Sequence, residues 1–228
     1  MSKYKFLLFD ADATLLDFKA CEKEAVIDCL RFAGLPTTDE VINKYSEIND
    51  GYWKKLERCE VTKPQLMIGR WQSLFDFYGF KGDAKVISDM YPLQLAEKNH
   101  IIDGSVEICQ KLFGKFKMYI VTNGFKIVQK KRIFISPIAK YFDDVFVSED
   151  IGYDKPSIHY FDEIAKRIPD YDPAKAIIIG DSLTSDIKGG INAGIDTCWY
   201  NPEGKPVPEE INVTYTISEL SELEKILL

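Results

Sequence analysis

Phe6-Leu7-Leu8-Phe9-Asp10-Ala11-Asp12-Ala13-Thr14-Leu15-Leu16-Asp17 decides the fold of this 228-residue chain. Four large apolar residues in a row, too few for a helix and cut off by acids, read as a strand buried on both faces. Such strands belong to open α/β sheets, where ligands bind at the carboxyl ends of the strands. Asp10 and Asp12 stand at that end. Two carboxylates so close repel each other unless a cation or a shared proton intervenes, and the pattern therefore points to a metal.

Beyond the acidic turn, apolar residues recur at helical spacing from Phe18 to about Leu95. Val26, Cys29, Leu30 and Ala33 form one face, stopped by Gly34 and Pro36. Thr38 caps a second helix carrying Val41, Tyr45, Ile48 and Tyr52. Thr62 caps a third, with Met67, Trp71, Leu74, Phe75 and Tyr78 on its apolar face, and a fourth starts at Asp83. No strand interrupts this block. From Ile102 onward helices and strands alternate, with strands over 116–121, 144–148, 176–179 and 197–200 and a remnant at Tyr215. Glu149 to Tyr153 read as a loop, Pro156 as a helix start and Asp186 to Ala193 as a helix. The fold class is thus α/β, a parallel sheet covered by helices, with an all-helical insertion after the first strand. Three strands end in polar clusters, Asp10-Ala11-Asp12, Thr122-Asn123 and Gly180-Asp181, and a parallel sheet gathers them on one edge.

Composition narrows the class of partner. With 46% hydrophobic and 29% charged residues the chain is ordinary for a globular protein, and a net charge of -7 without a basic stripe argues against a nucleic acid polymer. Five cysteines without C-x-x-C spacing read as reduced core thiols. Met1 to Tyr4 lead straight into the first strand and no apolar run approaches a membrane span, so the expectation is a cytoplasmic protein with no membrane association.

The acids at the shared edge suit a hard divalent cation such as Mg2+, with Asp10 and Asp181 as direct ligands. An ionised Asp10 facing an electrophile is a competent nucleophile, as in enzymes that pass through an aspartyl phosphate. Asp12, two residues on, is placed to give a proton to a leaving oxygen and later take one from water. The Thr122 hydroxyl and the Asn123 backbone N–H are donors for phosphoryl oxygens, and Lys155 is a point charge able to reach inward.

Asp10-Ala11-Asp12-Ala13-Thr14, Thr122-Asn123, Lys155-Pro156 and Gly180-Asp181-Ser182-Leu183-Thr184-Ser185-Asp186 together resemble the four ordered motifs of the haloacid dehalogenase (HAD) superfamily. The resemblance implies a Rossmann-like core over 1–16 and 100–228 with a helical cap over 17–99. It also implies roles: Asp10 as nucleophile, Asp12 as general acid/base, and Thr122 and Lys155 as phosphate binders. Asp10, Asp181 and the Asp12 backbone carbonyl are implied as Mg2+ ligands, with Asp186 orienting Lys155 or metal-bound water. Phe9 to Phe18, with Gly189-Gly190-Ile191-Asn192-Ala193-Gly194 and Trp199-Tyr200-Asn201, is similar to the YjjG-type pyrimidine 5'-nucleotidases. That implies a small phosphate ester as substrate, a nucleoside 5'-monophosphate in particular. One departure is Ala13, where such proteins often carry Asn or Gly.

Other readings compete. Asp10 and Asp12 could form an exposed acidic turn, Thr122 and Asn123 could be helix caps, and Asp186 a helix N-cap. His100 and His159 lack partners for a zinc site. The aromatics Tyr52, Trp53 and Trp71 read as packing, with Trp53 and then Phe18 as stacking candidates for a base. Arg70 and Lys126 read as solvated charges. Among functions, the rivals are a 2-haloacid dehalogenase, which has no leaving alkoxide for Asp12 to protonate, a sugar-phosphate phosphatase or mutase, and a non-catalytic binding protein on the same fold.

Overall fold

In the computed structural model, which describes residues 2–228, Phe6–Phe9 is strand β1 and is buried along its whole length. The remaining strands are β2 (Lys117–Thr122), β3 (Asp144–Val147), β4 (Ala176–Gly180), β5 (Asp196–Tyr200) and β6 (Tyr215–Ile217). They make one sheet in the order β3-β2-β1-β4-β5-β6, every neighbouring pair parallel. Alternate residues of β1 face opposite layers. Leu7 and Phe9 pack with Ile108, Leu112, Ile120 and Ile179, whereas Phe6 and Leu8 pack with Val121, Tyr160, Ile164 and Ile178. Each such side chain contributes about 1.5–3 kcal/mol of burial, which is why the apolar run shows no alternation.

The helices are α1 (Phe18–Phe32), α2 (Asp39–Glu57), α3 (Lys63–Tyr78), α4 (Ala84–Leu95), α5 (Ser105–Leu112), α6 (Lys126–Ile135), α7 (Ser148–Ile151), α8 (Ile158–Arg167), α9 (Lys188–Asn192) and α10 (Leu223–Leu227). The chain divides into two compact units, one of Met1–Phe18 with Asn99–Leu228, the other of Lys19–Lys98. Within the helical unit Thr38 and Thr62 cap α2 and α3, the latter through a capping box with Gln65, and Asp83 caps α4. Among the described residues no helix is long and apolar enough to cross a membrane.

Several local expectations are corrected. Ala33 lies beyond α1 and is exposed. Tyr78 and Met67 are only half-buried, and Leu66 and Arg70 take their places inside α3. Arg70 is no solvated charge: it is buried, donating to Asn49 Oδ1 at 2.8 Å, with its guanidinium over the Tyr91 ring. Trp71 is buried against Tyr45 and Tyr91, as packing predicts. Cys59 is exposed, while the other four cysteines are buried. The presumed loop after β3 contains the single turn α7, closed by Gly152 at φ +88°. Pro156 does not open α8; Ser157 does, its hydroxyl accepting from the His159 N–H at 3.3 Å. The helix expected from Asp186 begins earlier, as a π-helical turn over Leu183–Ile187 that runs into α9.

Candidate active site

The sheet order places β1 between β2 and β4, so the residues just past these three strands meet. Phe9 is in register with Ile120 and Ile179, which carries Asp10, Thr122 and Asp181 to neighbouring positions at the carboxyl edge. The chain then curls tightly. Leu15 and Leu16 donate to the Ala11 carbonyl at 3.0 and 2.8 Å, and Ala13 donates back to Leu16 at 2.9 Å. This turn puts Ala13 in the left-handed region, at φ +62°. That conformation suits Gly and Asn, which accounts for the residues expected there.

Lys155 is the hub. It is 2% exposed, and its ammonium donates to Asp10 Oδ1 at 2.7 Å, to Asp186 Oδ1 at 2.6 Å and to the Val121 carbonyl at 2.7 Å, using all three protons. Burial works to lower its pKa, but the Asp10 and Asp186 carboxylates prevail and raise it, so it is a fixed cation. Its backbone is held in turn by Asn123, whose carboxamide donates to the Lys155 carbonyl and accepts from the Lys155 N–H, both at 2.8 Å. The Asn123 side chain therefore positions Lys155.

Asp186 is not an N-cap. Ser182 caps that turn, accepting from the Ser185 N–H at 3.2 Å, while Asp186 gives its second oxygen to the Ser182 N–H at 3.1 Å. Neither Thr122 nor Asn123 caps α6, whose N-cap is Phe125. The Thr122 hydroxyl instead accepts from the Gly124 N–H at 3.1 Å and from Gln129 Nε2 at 2.8 Å. Trp199 Nε1 donates to the Asp181 carbonyl at 2.8 Å, fixing the turn after β4. Asp12 is partly exposed, with its carboxylate held by Gln129 and by the buried Arg132.

Asp10, Asp181 and Asp186 each present an oxygen within 4.8 Å of the others. Burial, reinforced by Asp186 and Asp181 and opposed by Lys155, pushes the Asp10 carboxyl well above its usual range. Burial and Asp186 push Asp181 up to about 7. One lysine does not balance three acids. An all-oxygen donor set with surplus negative charge fits a hard divalent cation.

The remaining candidates lie elsewhere in character. His100 is exposed, and His159 is exposed at 3.8 Å from Asp162. Lys126 is exposed and pairs with Asp150 at 2.5 Å. Trp53 and Phe18 are half-buried. Gln129 and Arg132 escaped the sequence reading, although α6 carries a signal: they stand three apart, between Val128 and Ile133, on the face that is buried.

A parallel sheet with three acids and a buried lysine at its carboxyl edge defines a Rossmann-like core with an enzyme-like site at the strand ends. The haloacid dehalogenase-like hydrolase profile matches residues 4–194, and the chain belongs to that family. YfnB of Bacillus subtilis, named as a HAD-hydrolase, is 41% identical over all of this chain and 97% of its own length. Its crystal structure bound to magnesium superposes with a TM-score of 0.95 over 99% of both chains. The pyrimidine 5'-nucleotidase PynA of Streptococcus pneumoniae is 35% identical over 96% of this chain and 93% of PynA. The pyrimidine 5'-nucleotidase YjjG of Escherichia coli is 31% identical over 99% and 98%. The chain is an enzyme of the HAD hydrolases, on their YjjG-type branch.

Proposed function

We propose that the chain hydrolyses phosphomonoesters through an aspartyl-phosphate at Asp10, with Mg2+ as the bound cation and a pyrimidine nucleoside 5'-monophosphate as substrate. The observation that carries this reading is the setting of Asp10: a buried carboxylate gripped by Lys155, two acids beside it, and the anchored carboxyl of Asp12 two residues on. In the first step an Asp10 oxygen attacks phosphorus as the bond to the ester oxygen breaks. The electron pair stays on the departing oxygen, which takes the proton of the Asp12 carboxyl. In the second step water attacks the phosphorus of the acyl phosphate, its proton passes to Asp12, and the Asp10 carboxylate leaves. Lys155 supplies positive charge beside the phosphoryl oxygens, and the Thr122 hydroxyl and the Asn123 N–H supply the donors. Asp10, Asp181 and the Asp12 carbonyl would hold Mg2+, which supplies charge neutralisation on the transferring group when bound. The names of PynA and YjjG support the substrate class, and the magnesium in YfnB supports the metal.

The test is phosphate release from uridine, thymidine and adenosine 5'-monophosphates and from glucose 6-phosphate, with MgCl2 or with EDTA. Hydrolysis should favour the pyrimidine nucleotides, need Mg2+, and fall by more than about a thousandfold in Asp10→Asn with the circular dichroism spectrum unchanged. Turnover that survives in Asp10→Asn overturns the nucleophile, and preference for the sugar phosphate overturns the substrate.

A further inference from the structure

We infer that Gln129 and Arg132, on one face of α6, are positioning residues that hold the Asp12 carboxyl at a set distance from the Thr122 hydroxyl, coupling proton delivery to phosphoryl binding. The inference rests on the phosphomonoesterase reading above. Both side chains are fully buried. Arg132 Nη1 donates to Asp12 Oδ1 at 2.6 Å and to Gln129 Oε1 at 3.3 Å. Gln129 Nε2 donates to Asp12 Oδ2 at 2.5 Å and to Thr122 Oγ1 at 2.8 Å. Each Asp12 oxygen thus has its own donor, which stops rotation about the Cβ–Cγ bond. A carboxylate has about four lone-pair sites, so the two that remain suffice for proton exchange with a substrate oxygen.

Burial by itself disfavours residues of this kind. A buried guanidinium is costly unless paired, and an apolar side chain of similar volume is often neutral or better. α6 nevertheless turns Ile127 and Phe134 outward, 57% and 80% exposed, and keeps Gln129 and Arg132 inside. Gly124 adds an independent observation. A Cβ there would lie 2.6 Å from Gln129 Cγ and 2.7 Å from its Cδ, so the glycine after Thr122-Asn123 leaves room for this amide. Asp12 itself is 27% exposed while Arg132 is 0%: the acid is presented at the surface of the core by an anchor wholly inside it.

A residue that acts through Asp12 must matter most when the leaving oxygen needs a proton. Uridine leaves its 5'-monophosphate as a strongly basic alkoxide and 4-nitrophenol leaves its phosphate as a weakly basic phenolate, so kcat/KM on the two esters separates positioning from folding. Arg132→Met should lose about 10- to 100-fold on uridine 5'-monophosphate and less than about 3-fold on the aryl ester. Arg132→Lys should recover part of the loss. In an Asp12→Asn background, Arg132→Met should change the residual aryl-ester rate by less than about 2-fold. Gln129→Leu should show the same split, together with a higher KM for both esters because Thr122 is released. An equal loss on both esters, or an unchanged ratio, in a folded variant overturns the inference; Gln129→Leu decides it should Arg132→Met not fold. Wild-type protein inactive on both esters, or an active Asp10→Asn, would instead count against the underlying reading.

Discussion

Ala13 adopts φ +62°, where an L side chain crowds the following carbonyl at roughly 1–2 kcal/mol. The turn needs that conformation to bring Asp12 round to Leu16, so the strain is carried by a residue whose side chain is given no chemical task. Ala13→Gly should therefore raise stability by about 1 kcal/mol in urea titration, with kcat unchanged; an unaltered midpoint would show that the turn relaxes around alanine. The acids on either side were legible as a site because their type and spacing carry chemistry. The environment of Asp12 was not, since Arg132 lies 120 residues away and nothing local to Asp12 names it.

At the level of elements, Gly180 shows how a strand end serves a site. A Cβ at this last residue of β4 would meet the carboxylate of Asp186, so the strand can end beside that acid only as glycine. Gly180→Ala should push Asp186 away from Lys155, costing about 1–3 kcal/mol of stability and lowering kcat with it; wild-type values for both would refute the contact. Gly189 and Gly190 belong to the same logic, since a side chain there would strike Phe161 or Ile178 and Thr197, and α9 could not approach the sheet. Apolar runs ending in polar clusters were sufficient to find the strands. Helix starts are less legible: Ser157 caps α8 just past Pro156, and Ser182 rather than Asp186 caps the turn before α9, since serine and aspartate offer similar acceptors and one sequence does not say which is used.

For the whole molecule, the α/β class followed from alternating elements, whereas the strand order that brings β1 between β2 and β4 depends on long-range packing no local pattern encodes. The helical unit holds a buried acid of its own. Glu22 accepts from Asn49 at 2.8 Å and from Ser46, and burial, with Asp50 adding and Ser46, Arg70 and Asn49 opposing, raises its carboxyl to about 7 from 4.5. A folded-state pKa above the unfolded one means the native protein binds more protons between these values, so stability declines as pH rises from about 4.5 through 7. The loss is on the order of 3 kcal/mol. Melting temperatures measured from pH 5 to 8 should fall, and Glu22→Gln should flatten the slope; a slope unchanged in Glu22→Gln would assign it to other groups.

The paired bonds between Asn123 and the backbone of Lys155 imitate one rung of a β-ladder, with a side-chain amide standing in for a peptide. They tie two site loops together across 32 positions of chain without using the excursion between them, which passes through α6, β3 and α7. That segment is thereby relieved of fixing the distance from the Thr122-Asn123 loop to Lys155. Lengthening its outer turns would cost only the small entropy of a larger loop, while the spacing of the two site loops stays constant.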